Sequence, residues 1–167
     1  MVEAGHYRAD IGGSRDIAPE IAEAIIAARR LAEAASREAL LGVPIQTEAS
    51  AFRQYLVNRL GSRREECVLV FFFNGEGVYI AEDLYAGGRR SECLIPLRRT
   101  VRRAFDLDAR RIVLAHNHPS GTANPSSDDI AATARFRQVV EPLEIRLDDH
   151  CIVAGNHVAS LKAMGCL

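Results

Sequence analysis

The sequence predicts an α/β protein, with a central mixed sheet flanked by helices and an additional helix at the N-terminus. The first observation behind this prediction is hydrophobic periodicity, which changes along the chain in the order helix, helix, strand, strand, candidate strand, helix, strand, helix, strand, strand. The second is composition: of the 167 residues, 48% are hydrophobic and 26% are charged. That balance is ordinary for a globular domain with a buried core and excludes a mostly disordered chain.

The N-terminal part of the chain is predicted to be helical. Residues 1–17 mix glycine, histidine and charged residues without periodicity, so we expect a flexible lead-in. Apolar residues recur at helical spacing over residues 19–41 and again over residues 47–61. We therefore divide the chain into a lead-in with one helix, residues 1–44, and a folded domain, residues 45–167.

A β-hairpin is predicted where the sequence reads "EECVLVFFFNGEGVYIAED". A continuous apolar run is followed by a turn at residues 74–77 and by a second run at residues 78–81. The first strand is apolar on both faces, so we expect it to be central in the sheet. A glycine-rich loop comes next, and "CLI", residues 93–95, is a candidate short strand.

The C-terminal half alternates helices with strands. A helix is expected from Pro96, then a buried strand at "RRIVLAHNH", then a helix over residues 126–140 that Pro142 ends. The segment "LEIRLDDHCIVAGNHV" predicts two short strands that meet near Asp148 and Asp149, and "SLKAMG" predicts a last helical turn. This order is typical of a sheet covered by helices.

Charge and targeting signals exclude several classes of protein. A net charge of -1 and a pI of about 6.5 argue against nucleic-acid binding through overall charge. The N-terminus has no signal-peptide pattern, and the longest apolar run, "CVLVFFF", is too short for a transmembrane helix. We expect a cytoplasmic protein with reduced cysteines, since Cys67, Cys93, Cys151 and Cys166 form no C-x-x-C pair.

Two histidines at the end of the strand "RRIVLAHNH" are candidate metal ligands. Alternate residues of a strand share a face, so His116 and His118 project together while Asn117 is turned away. An H-x-H pair alone is a weak signal for a metal ion. Downstream, Asp129 falls in the first turn of a predicted helix, and a loop of proline, serine and glycine can bring it back to the strand end as a third ligand.

The start of this helix has two interpretations. Two imidazoles and the Asp129 carboxylate would leave the fourth position of a tetrahedral zinc ion to water, which is the pattern of a catalytic site. In the structural interpretation, Ser126 and Asp129 form a capping box, in which Ser126 caps the helix and Asp129 offsets its dipole. The two interpretations are compatible for Ser126 and compete for Asp129.

A catalytic zinc site also needs a general base close to the water. Carboxylates next to the predicted strands are the candidates: Glu65, Glu66, Glu76 and Glu82. Local reasoning does not choose among them.

The spacing of the candidate residues resembles a known signature. His116, His118, Ser126 and Asp129 match H-x-H-x7-S-x-x-D, the signature of the JAMM (JAB/MPN) metalloproteases. The strings "AHNHPSG", "PSSDDI", "LDDHCIV" and "SLKAMG" resemble the RadC branch of that superfamily. The resemblance covers roughly residues 45–167 and implies the layered JAB/MPN architecture, which is similar to that of cytidine deaminases.

The resemblance also implies a site and a reaction. By it, His116, His118 and Asp129 are the zinc ligands and Ser126 donates to the oxyanion of the tetrahedral intermediate. The catalytic glutamate of the family lies just before the first core strand, and "ECVLVFFFN" matches that pattern with Glu66. The implied protein is a zinc-dependent hydrolase, a metallopeptidase or isopeptidase, in which Glu66 activates a zinc-bound water against an amide bond of a protein or peptide.

Two further positions are read from the resemblance. Asp149 and His150 lie where RadC proteins have a similar Asp-His pair, which could support the metal ligands from outside. Asn74 stands where aspartate is usual in the family.

The alternative is a RadC-type DNA-repair-associated or nucleic-acid-binding protein, with or without peptidase activity. RadC proteins carry the label of DNA repair proteins, and many have an N-terminal helix-hairpin-helix region, for which the segment before residue 47 is too short. A basic cluster could bind phosphate: Arg98, Arg99, Arg102 and Arg103. These arginines lie opposite the apolar stripe of one amphipathic helix, where a charged cluster is usually just the solvated face. An inactive domain that retained the site is a further alternative.

Overall fold

The computed structural model describes residues 18–86 and 95–167 of the chain. The strands are β1 (Cys67–Phe73), β2 (Tyr79–Ala86), β3 (Arg111–Asn117), β4 (Arg146–Ala154) and β5 (His157–Ser160). The helices are α1 (Pro19–Glu38), α2 (Ser50–Leu60), α3 (Leu97–Asp106) and α4 (Ser127–Val140), with a short 3-10 helix at Glu141–Leu143. The predicted α/β class is confirmed. The lead-in, residues 1–17, and most of the candidate strand "CLI" lie outside the described residues.

The five strands form one mixed sheet with the order β2-β1-β3-β4-β5. β1 lies inside the sheet, antiparallel to both β2 and β3, and all of its residues are buried. This agrees with its apolar sequence, because a strand covered on both faces has no polar side. β3 and β4 are parallel and are joined through α4, while β5 returns antiparallel to β4.

Each face of the sheet carries its own hydrophobic core. On one face, side chains of α2 pack against alternate residues of β1, with the Phe52 and Phe71 rings 5.2 Å apart. On the other face, α3 and α4 pack through residues such as Ala104 and Phe136 against Phe72. Phe71 and Phe72 therefore serve opposite cores, as the period of two along a strand requires. The sheet is held between two helical layers.

The last two strands differ from the prediction. β4 runs without a break through Asp148 and Asp149, and the turn to β5 lies at Gly155 and Asn156. The prediction of two strands that meet near Asp148 and Asp149 is therefore wrong. The Asp148 carboxylate is accommodated inside the strand by two arginines, Arg111 and Arg146, whose Nε atoms each donate to it at 2.6 Å.

Asp148 forms a β-bulge instead of a turn. The register between β3 and β4 shifts by one residue at this point, and such a shift moves the following side chains to the opposite face. Leu147 accordingly belongs to the core under α3 and α4, whereas Cys151 belongs to the core under α2. The bulge thus turns Asp149 toward the α2 side and His150 toward the α4 side.

Among residues 18–86 and 95–167, no helix is both long enough and apolar enough to cross a bilayer.

Gly61, at the end of α2, lies very close to Gly155 in the turn between β4 and β5. This close packing can be tested by substitution. A Cβ atom at Gly61 would overlap the carbonyl oxygen of Gly155 and lie 2.7 Å from that of Val57. We expect Gly61→Ala to lower the free energy of unfolding by about 1–3 kcal/mol, measured by urea denaturation, because overpacking displaces backbone. Gly75→Ala is the matched control, since a Cβ there has no neighbour within 4 Å. Equal stability of the two variants would contradict this packing.

Candidate metal centre

Both candidate histidines lie at the carboxyl end of β3. His116 is in the strand, and His118 follows it directly, with its backbone N–H donating to the carbonyl of Val153 in β4 (2.8 Å). His116 is fully buried and His118 is half-buried. Their Nε2 atoms are only 2.8 Å apart, so the two rings converge on one point.

Asp129 reaches the same point from the first turn of α4. Its Oδ1 is 3.2 Å from Nε2 of His116, and its Oδ2 is 3.4 Å from Nε2 of His118. The carboxylate also completes a capping box: Oδ2 accepts from the backbone N–H of Ser126 (2.8 Å) and from the Ser126 hydroxyl (2.6 Å). The capping and ligand interpretations therefore do not compete, because one oxygen caps the helix while the other faces His116.

Asp129 is held as an anion. Burial disfavours its charged form, but hydrogen bonding to His116 and to Ser126 outweighs burial and keeps the pKa of the Asp129 carboxyl well below its usual range. The start of α4 favours a negative charge for the same reason that any helix N-terminus does. The site therefore has a fixed negative charge beside two imidazoles.

A chain of hydrogen bonds behind His116 determines where its ring proton lies. The Thr133 hydroxyl donates to the backbone carbonyl of Asp129 (2.6 Å), which can only accept. Its oxygen is 2.6 Å from Nδ1 of His150, so that nitrogen donates to it. Burial, together with the nearby His116, lowers the pKa of His150 well below its usual value. His150 is therefore neutral, and its Nε2 accepts from Nδ1 of His116 (2.8 Å), so Nδ1 of His116 carries a proton. Nε2 of His116 donates to Asp129 when it is protonated as well, and it offers a lone pair to a metal ion when it is not.

His118 is oriented in the same way. Its Nδ1 donates to the backbone carbonyl of Thr122 (2.9 Å), so Nε2 is the nitrogen that can offer a lone pair to a metal ion. Two lone pairs 2.8 Å apart beside a carboxylate repel one another, and the group requires a positive charge at its centre, from a proton or a metal ion. Donor atoms 2.8–3.4 Å apart are near the spacing of about 3.3 Å around tetrahedral zinc. The residues present fit a divalent metal ion.

The side chains of Asp149 and His150 in β4 lie on opposite faces of the sheet. His150 lies on the α4 side, where its Nε2 accepts from Nδ1 of His116 (2.8 Å). Asp149 lies on the other face, where its Oδ2 accepts from the Ser160 hydroxyl (2.6 Å) and its Oδ1 from the backbone N–H of Lys162 (3.2 Å). Asp149 therefore anchors the C-terminal turn, and only His150 touches a candidate ligand.

Glu66 is the glutamate that the structure brings to the histidines. It lies just before β1 and is half-buried, and one of its carboxylate oxygens is within 4.8 Å of a ring nitrogen of His116 and of His118. Glu66 could therefore also be a third ligand, in place of Asp129. The assignment of one carboxylate as metal ligand and the other as base stays a prediction.

The other candidate bases are placed elsewhere. Glu82 is in β2, where its carboxylate accepts from the Tyr55 hydroxyl (2.6 and 2.5 Å) and from Nε of Arg59 (3.2 Å). Glu76 lies in the hairpin turn at the far end of β1, and Glu65 is exposed. Of the four, only Glu66 shares a cluster with the histidines.

Ser126 is exposed at the start of α4, next to Asp129. Its hydroxyl group accepts from the backbone N–H of Asp129 (3.1 Å) and donates its proton to the Asp129 carboxylate. The serine is thus within reach of the metal centre, and its proton is directed at Asp129 in this form.

Two residues of the site were not singled out by the sequence. Thr133 could have been found, because it lies one helical turn after Asp129 on the buried stripe of α4. Asn117 accepts from the backbone N–H of Cys67 and donates to the carbonyl of Glu65, on either side of Glu66. The sequence could not show this, since the alternation of β3 only turns Asn117 away from the two histidines.

The arginines of α3 form the predicted basic cluster. Arg98, Arg99 and Arg102 are exposed, and Arg103 is paired with Asp83 of β2 (3.4 Å). The structure therefore places them on the solvated face of the helix, as the sequence indicates.

Comparison with known proteins agrees with the fold. A family model described as RadC-like JAB domain matches residues 46–166. A UPF0758 protein of Rhodobacter capsulatus is 32% identical over 151 residues, or 88% of this chain and 71% of the relative. One of Polaromonas sp. is 36% identical over 143 residues, or 85% and 61%. One of Delftia acidovorans is 32% identical over 168 residues, or 100% and 73%.

These matches identify the family but leave part of each relative outside the comparison, since the chain spans between 61% and 73% of their length. The family model covers most of the chain, including β1, β3 and α4, which carry the candidate metal centre. The chain belongs to the RadC family and contains its RadC-like JAB domain.

Proposed function

We propose that this protein is a zinc-dependent hydrolase of the metallopeptidase or isopeptidase type, which cleaves an amide bond in a protein or peptide. The observation that supports this most is the convergence of two imidazole nitrogens on the Asp129 carboxylate, with a second carboxylate, Glu66, within 4.8 Å of the same two histidines. A metal site of three ligands with an acid-base group beside it is typical of hydrolytic zinc enzymes.

His116, His118 and Asp129 are the proposed ligands. Their nearest donor atoms are 2.8–3.4 Å apart, and a carboxylate oxygen of Glu66 lies within 4.8 Å of the same two histidines. We assign Asp129 as the third ligand because the capping box at the start of α4 fixes its carboxylate beside both rings. Zinc bound there would act as a Lewis acid and lower the pKa of water to about 7.

The remaining steps are assigned to side chains of the domain. Glu66 would accept the proton of the attacking water and deliver it to the leaving amine. Ser126 would turn its hydroxyl from Asp129 to the oxyanion that develops on the substrate carbonyl. His150 and Thr133 would keep the His116 ring in the tautomer that ligation needs.

The charge of the chain favours hydrolysis over nucleic-acid binding as its function. The net charge is -1, and Arg103, one of the four arginines of the basic cluster, is engaged by Asp83. We also propose a cytoplasmic setting, which is consistent with free thiols at Cys67, Cys151 and Cys166.

The ligand assignment is tested by zinc content. We expect His116→Ala and Asp129→Ala each to weaken zinc binding by more than about 100-fold, because each removes a direct ligand. Wild-type protein should bind one zinc ion per chain. Affinity is measured by competition with a chelator, and stoichiometry by elemental analysis.

Two matched variants control for this measurement. His157→Ala removes an exposed histidine, and Asp128→Ala removes an exposed carboxylate from the same helical turn as Asp129. Both should bind zinc like the wild type. Zinc binding that survives Asp129→Ala and is lost in Glu66→Ala would show that Glu66 is the third ligand.

The base assignment is tested with Glu66→Gln, which keeps the size of the side chain and removes its basicity. At saturating zinc it should still bind one ion per chain and should hydrolyse peptide and isopeptide substrates about 10²–10⁴-fold more slowly than the wild type. Glu65→Gln, at the exposed neighbouring position, should keep full turnover. A Glu66→Gln protein with unchanged turnover would refute the role of this residue.

A further inference from the structure

The side chain between the two histidines has a structural partner of its own. Asn117 is only 2% exposed, and it projects from the opposite side of β3 to His116 and His118. Its Oδ1 accepts from the backbone N–H of Cys67 (2.8 Å). Its Nδ2 donates to the backbone carbonyls of Glu65 (3.0 Å) and Arg63 (3.3 Å).

These bonds are made to the residues on either side of Glu66 in the sequence, Glu65 and Cys67. The antiparallel pairing of β1 with β3 ends at Val68 and His116, and beyond that point the Asn117 side chain takes the place of the backbone ladder. The residues before and after Glu66 are thereby tied to the strand that carries the histidines. The position of the Glu66 backbone is thus set relative to His116 by one side chain.

We propose that Asn117 is a positioning residue that holds Glu66 beside the metal centre. This role depends on the proposed function insofar as Glu66 acts there as a base, but the placement of Glu66 near the metal ion can be tested without turnover. The middle position of the His-Asn-His sequence is then part of the site, although it contacts neither metal nor substrate.

The chemistry of the contacts selects asparagine. A side chain at this position must accept one hydrogen bond and donate two, and the asparagine amide has both capacities at the required length. Aspartate would place a carboxylate against the two carbonyls. Serine and alanine are too short to reach the segment before β1.

The proposal is tested by a double-mutant cycle on zinc affinity. A carboxylate beside a metal ion strengthens its binding, so Glu66→Gln should weaken zinc binding by about 10-fold. Asn117→Ala should weaken it to a similar extent, because Glu66 is released from its position. In the Glu66→Gln background, Asn117→Ala should change the zinc dissociation constant by less than about 3-fold, since the group it positions is already missing.

A second readout follows the segment itself in the metal-free protein. We expect the Cys67 amide hydrogen to exchange with solvent at least about 10-fold faster in Asn117→Ala than in the wild type, measured by NMR, because its acceptor is lost. Asn74→Asp is the matched control: Asn74 uses its Oδ1 to accept from the backbone N–H of Val78 (2.8 Å), which aspartate can also do. It should leave zinc affinity and Cys67 exchange unchanged.

Several outcomes would overturn the proposal. If Asn117→Ala weakens zinc binding as much in the Glu66→Gln background as alone, its effect does not pass through Glu66. Unchanged Cys67 exchange would also refute it. Asn117→Ser is a milder replacement if circular dichroism shows that Asn117→Ala is unfolded. A coupled cycle together with full turnover of Glu66→Gln would instead reject the base and retain the positioning role.

Discussion

Two imidazole nitrogens held 2.8 Å apart are the constraint on which the rest of the site depends. Without a positive charge between them, rings oriented in this way would repel each other, and hydrogen bonds on the far side of each ring maintain the arrangement. His118 is held by a backbone carbonyl, and His116 by the chain through His150 to Thr133. The partners of His116 are buried, so a rotated His116 ring would leave polar atoms without partners in the interior. The geometry is therefore ready for a cation.

Asp129, which lies beside both histidines, is positioned by helix capping. Asp129 binds the N-terminus of α4 through Oδ2, and the same bonds aim its Oδ1 at His116. A carboxylate on a regular helix is held more rigidly than one on a loop, because its backbone is hydrogen-bonded within the element. Below it on the same helical stripe, Thr133 joins the hydrogen-bond chain and Phe136 enters the core. One face of α4 thus connects the metal centre to the packing that holds the sheet.

Much of the fold could be predicted because its signals are local. The apolar run of β1, the turn after it and the helical period of α4 lie within short windows, and the structure has each of them. The β4 prediction failed because a bulge at Asp148 depends on pairing with β3 and on arginines at other positions. β2 is longer than predicted and extends to Ala86, because the length of β1 opposite it allows pairing up to Cys67. The sequence did not predict the full length of β2, because polar residues interrupt its apolar pattern.

The sequence by itself determined which side chains could meet at the metal centre. The alternation of a strand places His116 and His118 on one face, and the capping pattern places Asp129 in a first helical turn, since both are periodicities of the local backbone. Only the tertiary structure decided that His150, not Asp149, supports the site, because the bulge reverses the faces of β4. The tertiary structure also decided which glutamate approaches the histidines. Glu66 precedes Cys67, whose backbone N–H donates to Asn117, 50 positions away. No periodicity in the sequence predicts a hydrogen bond between residues so far apart.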